Sequence, residues 1–544
     1  MGALLNVLLS RRKFVLAGLG LVFVWALVLA SPMTQLDWSC EDTASSGMLC
    51  SSLARSGSAI SSSTAAVHGL PSEYRAVSPD QQQCDELWGH GYLRQLATHQ
   101  QAYCKAGSES RLQCFKAERL PKPWPGSDWG VDSICLAQGV RYKPLDQEQE
   151  GAEGSEEQKK AFRMQCRPRN FTAESLASEQ AAASLHGFQA IDSFNTYWFE
   201  TGVGPQISEF DFTASPDPSC TASSNTSSWT LLVRREYTGN IWHKLMELWQ
   251  AMLTLDALRL AINPSTNAPW LSAPDLTANL QIVLEDDRPE QLDPWWSLLN
   301  ARPPLRRSAL APHTCLGNVI LPLAGSASPF WSALLTAVPH AACRAAPSLA
   351  DAFVDRVLRF LELDARPVSD VHAGEEGNPV VVTVIDRQVN RKIFGLPKMM
   401  ATLRARWGGR VRFHVVDFAA IELREQVRLV LGSDVLVGHH GAGLTHVLWL
   451  PTESAVVEIL PPVFSNLGFR YLSRDRGHVH LTMHEMWPEE WNKTVNALEY
   501  PQGWKAPTSD GGWQEFEWSY MTEDEFVGTV EAAIRSQVGR KMVA

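Results

Sequence analysis

The chain lacks any surplus of positive charge. Its 48 Lys and Arg against 59 Asp and Glu leave a net charge of −11, and a phosphate-backbone partner requires a basic surface. A nucleic-acid partner is therefore not expected. None of the ten cysteines stands in a C-x-x-C pair, so zinc ribbons and thioredoxin-type redox motifs have no support. No G-x-S-x-G occurs either, and a serine hydrolase built on a nucleophile elbow needs one. With 45% apolar and 20% charged residues in 544, the composition is neither fibrous nor wholly disordered. That length exceeds one ordinary core and implies two lobes plus a stalk or accessory region.

What is present begins at the N-terminus. Arg11, Arg12 and Lys13 precede an unbroken apolar run from Phe14 to Ala30, about 25 Å long as a helix, near the short end for spanning a bilayer. The basic cluster before the run implies a cytoplasmic tail at 1–13, a signal-anchor at 14–30 and a luminal remainder, which is type II topology. A cleaved signal peptide ending near Val28 and Ala30 is the rival, and a buried core helix the bland alternative. All ten cysteines follow this segment, which suits disulfides in an oxidising compartment. Sequons begin at Asn170, Asn225 and Asn492. No K-D-E-L-type signal follows Val543-Ala544, which leaves ER and Golgi both open.

Residues 31–80 read as a flexible stem, being rich in Ser, Ala and Gly, and 81–228 as a cysteine-rich accessory region with an acidic insert at 146–160. From Trp229 onward strand and helix patterns alternate. Strands are expected at 230–234, 280–284, 380–385, 411–416, 434–437 and 455–459; helices at 242–260, 349–363, 397–406, 421–431 and 445–450. Such alternation implies right-handed crossovers and parallel sheets. The expected fold class is α/β: an acceptor-side lobe at 229–375, a second lobe at 376–505 and a C-terminal helix at 506–544. Two such lobes with a central cleft describe a GT-B-like architecture of Rossmann-like halves.

The most informative segment is Val437-Gly-His-His-Gly-Ala-Gly-Leu-Thr-His446, which follows an expected strand and opens an expected helix. Its glycines let backbone approach a ligand while helix-start amides face an anion, although a plain tight turn has the same requirement. Gly438 to His446, followed by Leu450-Pro451 and Val456-Val457-Glu458-Ile459, closely resembles the signature block of glycosyltransferase family 61. Gly239-Asn240-Ile-Trp-His243, Asp386-Arg387 with Arg391, Glu425-Gln426 and Gly468-Phe-Arg-Tyr471 occur in the same order as in that family. Asp132-Ser-Ile-Cys135, Asn318 to Gly325 and Phe330-Trp331 are similar to its EGF-domain-specific O-GlcNAc transferase-like branch.

The resemblance implies inverting transfer of a sugar from a UDP-sugar to a hydroxyl of a glycoprotein or glycan, GlcNAc being favoured and xylose next. It implies donor contacts at Arg387, Arg391, His440, Gly441, Ala442, Gly443, Leu444, Thr445 and Glu458. The arginines would neutralise the leaving diphosphate in place of a metal, and Glu458 would accept from the ribose hydroxyls; exposed ion pairs and a buried structural carboxylate are the alternatives. His243 is the first base candidate and Glu247, one turn on, the second; helix capping or a core role is the alternative for the histidine. His440 is expected to shape the donor loop and His439 to point into the core.

No cofactor and no metal are expected. Glu285-Asp286-Asp287 is not a strict D-x-D and is expected as a solvated turn, and the adjacent His439 and His440 with His446 make a poor zinc cluster. A catalytically inactive relative, acting as a glycan-binding or structural protein of the secretory pathway, is the second functional reading.

Overall fold

The computed structural model describes residues 69–77, 81–118, 131–144, 160–169, 190–213, 215, 217–223, 227–236, 238–327, 349–364, 379–462, 468–486 and 516–543. The apolar run at 14–30, the three sequons, Phe330-Trp331 and most of the stem and acidic insert lie outside these residues. Among the described residues no helix is long and apolar enough to cross a membrane.

The protein is mixed α/β and is organised on two principal sheets. The first contains β1 (Gln100–Ala102), β2 (Arg111–Glu118), β3 (Val131–Gln138), β4 (Trp229–Val233), β5 (Leu280–Leu284), β6 (Leu305–Arg306) and β7 (Asn318–Leu321). Their order is β1-β2-β3-β7-β4-β5-β6. The half from β7 to β6 is parallel, whereas β1, β2 and β3 join antiparallel. The cysteine-rich stretch expected as an accessory region thus supplies three strands of this sheet. Cys114 and Cys135 bridge neighbouring strands, and Cys104–Cys166 and Cys220–Cys315 close longer loops.

The second sheet is parallel throughout. It contains β8 (Val380–Ile385), β9 (Val411–Val416), β10 (Val435–His439), β11 (Ala455–Leu460) and β12 (Val479–His484), in the order β9-β8-β10-β11-β12. Its central strands are β-branched and buried, as parallel strands covered on both faces must be. The order reverses between β8 and β10. In open α/β sheets ligands sit beyond the carboxyl ends of the strands at such a switch point.

Between the sheets runs α1 (Ile241–Leu260), buried from Trp242 to Leu258. It is buried on every face although it carries His243, Lys244, Glu247 and Asp256. Asn240 caps its start by accepting from the Trp242 amide at 2.9 Å. Trp249 stacks on Phe353 of α2 (Leu349–Phe360) at 5.3 Å, and Phe353 lies 6.2 Å from Trp449 of the second lobe. One continuous apolar cluster therefore joins the two sheets. The later helices α3 (Leu396–Trp407), α4 (Leu423–Leu431), α5 (Gly468–Asp475) and α6 (Glu523–Val543) follow the expected alternation. The helix expected at 445–450 is instead a 3₁₀ helix over Ala442–Trp449.

Candidate functional site

At the carboxyl end of β8 the chain continues through Asp386 and Arg387 to Arg391. The Arg391 backbone is left-handed, with φ of 53°, and its amide is fixed by the Phe516 carbonyl at 2.6 Å. Its buried guanidinium donates to the His440 carbonyl at 2.7 Å, which binds the end of β8 to the end of β10. Burial, followed by repulsion from Arg387, lowers the Arg391 pKa to about 10, against the pull of Glu485. It remains a cation at neutral pH. Arg387 is held by Asn390, donating from Nε to its carbonyl at 2.9 Å, and burial lowers its pKa too.

Beyond β10, Gly441 has φ of 130° and ψ of −161°, a conformation essentially reserved for glycine. A Cβ there would lie 3.3 Å from the Arg391 guanidinium. Gly441, Ala442 and Gly443 are partly accessible and open the 3₁₀ helix with their backbone toward Arg391 and Ile385, whereas Leu444 and Thr445 are fully buried. Neither of the last two presents surface to a ligand.

Glu458 differs from the ribose-binding expectation. It is fully buried, with Oε1 2.6 Å from His440 Nδ1 and Oε2 2.9 Å from His480 Nε2. Burial raises its pKa, but the bonds from His440 and His480 outweigh this and hold the carboxyl below its ordinary value. It orients His440 from beneath. His439 turns into the core, 3.6 Å from Glu485, where burial holds it well below the ordinary imidazole range. His446 bonds Gln426 at 2.7 Å, and burial pushes its pKa down to about 3. The three histidines therefore face three different partners.

The facing half is built at the carboxyl ends of β4 and β7. After β4 comes Arg235-Glu236. The Glu236 carboxylate is buried and bonded to His243 Nδ1 in the first turn of α1. The Glu236 amide donates to Glu247 Oε1 at 2.5 Å, and Lys244 Nζ reaches the same oxygen at 3.1 Å. Glu247 is thus buried beneath the His243–Glu236 pair, and burial raises its pKa to about 8 despite Lys244. Gly325, after β7, closes over both carboxylates: a Cβ would lie 2.9 Å from Glu236 Oε1 and from Glu247 Cγ. Glu236 lies outside the motifs singled out from the sequence; a charged pair directly after an apolar strand was its one signal.

The halves meet through rings. Trp242, adjacent to His243, packs edge-on against Phe469 at 5.3 Å, and Phe469 packs against His440 at 5.2 Å. Trp242, next to His243, and His440 are thereby linked through Phe469.

Of the turn expected to be solvated, Asp287 is exposed, whereas Glu285 and Asp286 are half-buried in ion pairs. Arg234 Nε donates to Glu285 at 2.7 Å, the fully buried Arg235 clamps Asp286, Glu290 and Asp293, and Ser308 donates to Asp287. Among the described residues no group of three or more His, Cys, Asp or Glu is arranged to hold a metal ion.

Residues 243–457 match the family model Glycosyltransferase 61. The match begins at His243 and ends one residue before Glu458. Among curated proteins, the chain is similar to the EGF domain-specific O-linked N-acetylglucosamine transferase of Drosophila melanogaster, 22% identical over 345 residues, 62% of this chain and 59% of that protein. The enzyme of the same name from Bos taurus is 35% identical over 139 residues, 24% and 25% of the two chains. That from Xenopus laevis is 27% identical over 155 residues, 28% of each. The chain thus aligns with about a quarter of the cow and frog relatives, and with well over half of the fly protein.

Proposed function

We propose that this protein is an inverting glycosyltransferase of GT-B-like design, moving a sugar from a UDP-sugar to a hydroxyl of a polypeptide. The observation that carries the proposal is a pair of arrangements at the carboxyl ends of the two sheets, linked through Trp242, Phe469 and His440. One is an imidazole held by a buried carboxylate; the other is a cationic, glycine-cradled turn at a switch point.

In the reaction, His243 takes the proton of the acceptor hydroxyl at Nε2 while Nδ1–H donates to Glu236. The acceptor oxygen attacks the anomeric carbon, and the bond from that carbon to the diphosphate oxygen breaks. UDP leaves with the electron pair, and the anomeric configuration inverts. Arg391 and the backbone of Gly441 to Gly443 meet the charge that grows on the diphosphate, with Arg387 behind Arg391. Glu247 positions Glu236 and Lys244 rather than touching substrate.

UDP-GlcNAc is the favoured donor, from the name that the fly, cow and frog relatives share, and UDP-xylose is the next. The acceptor class follows the same name: an EGF domain. The proposed mechanism uses no metal: Arg391 supplies the counter-charge, and Glu285 and Asp286 are tied to Arg234 and Arg235. Luminal residence behind an anchor at 14–30 completes the proposal and is supported by three disulfides.

The test is UDP release by the full chain from UDP-GlcNAc and UDP-xylose, with and without EDTA, alongside Arg391→Ala. Turnover with one donor, indifferent to EDTA and abolished in the variant, is the expected result. Absence of both turnover and donor binding would instead favour a catalytically inactive, glycan-binding relative.

A further inference from the structure

The turn at 197–201 places two aromatic side chains in solvent beside the base. Trp198 is 48% exposed and Phe199 42%. Their rings nevertheless lie 6.0 and 5.8 Å from the His243 imidazole. Large apolar groups seldom gather in water next to a reactive nitrogen without a partner to cover them.

The turn is built to hold them there. Phe199 and Glu200 both have φ of 56°, and two successive left-handed residues other than glycine are an arrangement that the surroundings must impose. Tyr197 N donates to the Thr201 carbonyl at 3.0 Å, and Thr201 Oγ1 donates to the Trp198 carbonyl at 2.8 Å. The Tyr197 hydroxyl donates at 2.8 Å to Asp132, a fully buried carboxylate on β3 that also accepts from Tyr92 at 2.9 Å. At Gly202, with φ of 93°, a Cβ would meet the Tyr197 ring at 2.6 Å. Held in this way, the turn keeps both rings in place beside His243 at the cost of local backbone strain.

We infer that Trp198 and Phe199 are acceptor-contacting residues that set acceptor choice, receiving an apolar side chain next to the hydroxyl residue of a polypeptide. The inference rests on the glycosyltransferase proposal and extends it to the acceptor. Ring orientation favours a polypeptide over a sugar. The indole is tilted 33° from the imidazole while the phenyl ring stands at 84° to it. The two faces are steeply inclined and form an open corner, whereas a pyranose stacks on one flat face. A side chain projecting from a polypeptide turn fits such a corner and carries its neighbouring hydroxyl toward His243.

The probe is a recombinant EGF domain, with UDP release from UDP-GlcNAc as the readout. Trp198→Ala and Phe199→Ala, singly and together, should raise KM for the EGF domain by about tenfold or more, with a smaller effect on kcat. Trp198→Phe and Phe199→Tyr should restore most of the loss, and UDP should still raise the melting temperature of every variant. An unchanged KM in variants that UDP stabilises would overturn the inference. So would a wild-type protein whose UDP release is increased by free monosaccharides and not by the EGF domain. A wild-type protein that neither releases UDP nor is stabilised by it fails at the earlier step and overturns the glycosyltransferase proposal itself.

Discussion

His243 Nδ1 and the buried carboxylate of Glu236, seven residues earlier, are bonded to each other across the junction between β4 and α1. The pair fixes the imidazole tautomer, and Glu247 and Lys244 beneath it hold the Glu236 backbone through its amide and its carbonyl. His243→Ala is expected to lower kcat by about 10²–10⁴-fold, the usual worth of a positioned general base. Glu236→Gln keeps the shape and removes the charge. A loss of about tenfold or more in kcat, with UDP binding retained, would show that the carboxylate acts through the histidine.

Gly441→Ala tests the donor turn. Its backbone conformation costs an ordinary residue roughly 1–3 kcal/mol, and the new methyl would press on Arg391. Donor affinity measured by calorimetry should fall by about tenfold or more, whereas Ala442→Gly should leave it nearly unchanged.

The pH dependence of stability has a separable part in Glu485. Burial raises its carboxyl from 4.5 to about 7, against the Ser519 bond and Arg391. Between those two values the folded form keeps a proton that the unfolded chain has lost, so this group's stabilising contribution is complete at low pH and is lost as pH rises through 7. Glu485→Gln removes that slope. Chemical denaturation at several pH values should show the variant gaining on the wild type from about pH 5 to about pH 7.5. His446, pushed to about 3 by burial, acts in the opposite sense, losing stability as pH falls, and cancels from the difference between the two proteins.

Cys220 and Cys315 close a loop with a sequence separation of 95 just before β7. Replacing both by alanine should cost about 2–5 kcal/mol, read as a lower midpoint in urea. Reduction of the wild type, which also opens Cys104–Cys166 and Cys114–Cys135, should lower the midpoint further.

Legibility in the sequence followed locality. Val380–Ile385, Val435–His439 and Ala455–Leu460 are short apolar runs that read as buried strands without further information, and they sit where the pattern placed them. The strands at Arg111–Glu118 and Val131–Gln138 were illegible because β3 joins the sheet through Asn318–Leu321, about 180 residues away. The second sheet also explains why the place of Glu458 is not legible in its motif. Only the parallel register, with Glu458 opposite Gly438 on one side and Thr482 on the other, reveals that His440 and His480 flank it. Glu236 was missed for a related reason: its importance comes from the helix turn that folds back over it, not from any motif of its own.

The central place of β4 in the first sheet has a consequence for dissecting the molecule. The similarity that defines the family begins at residue 243, but β4 ends at Val233 and is flanked on both sides by strands that depend on it. Cutting the gene at the start of that match would remove the spine of one half-molecule along with Glu236. The stretch that the family model recognises is smaller than the sheet it belongs to, and a minimal version of this protein has to begin well upstream of residue 243.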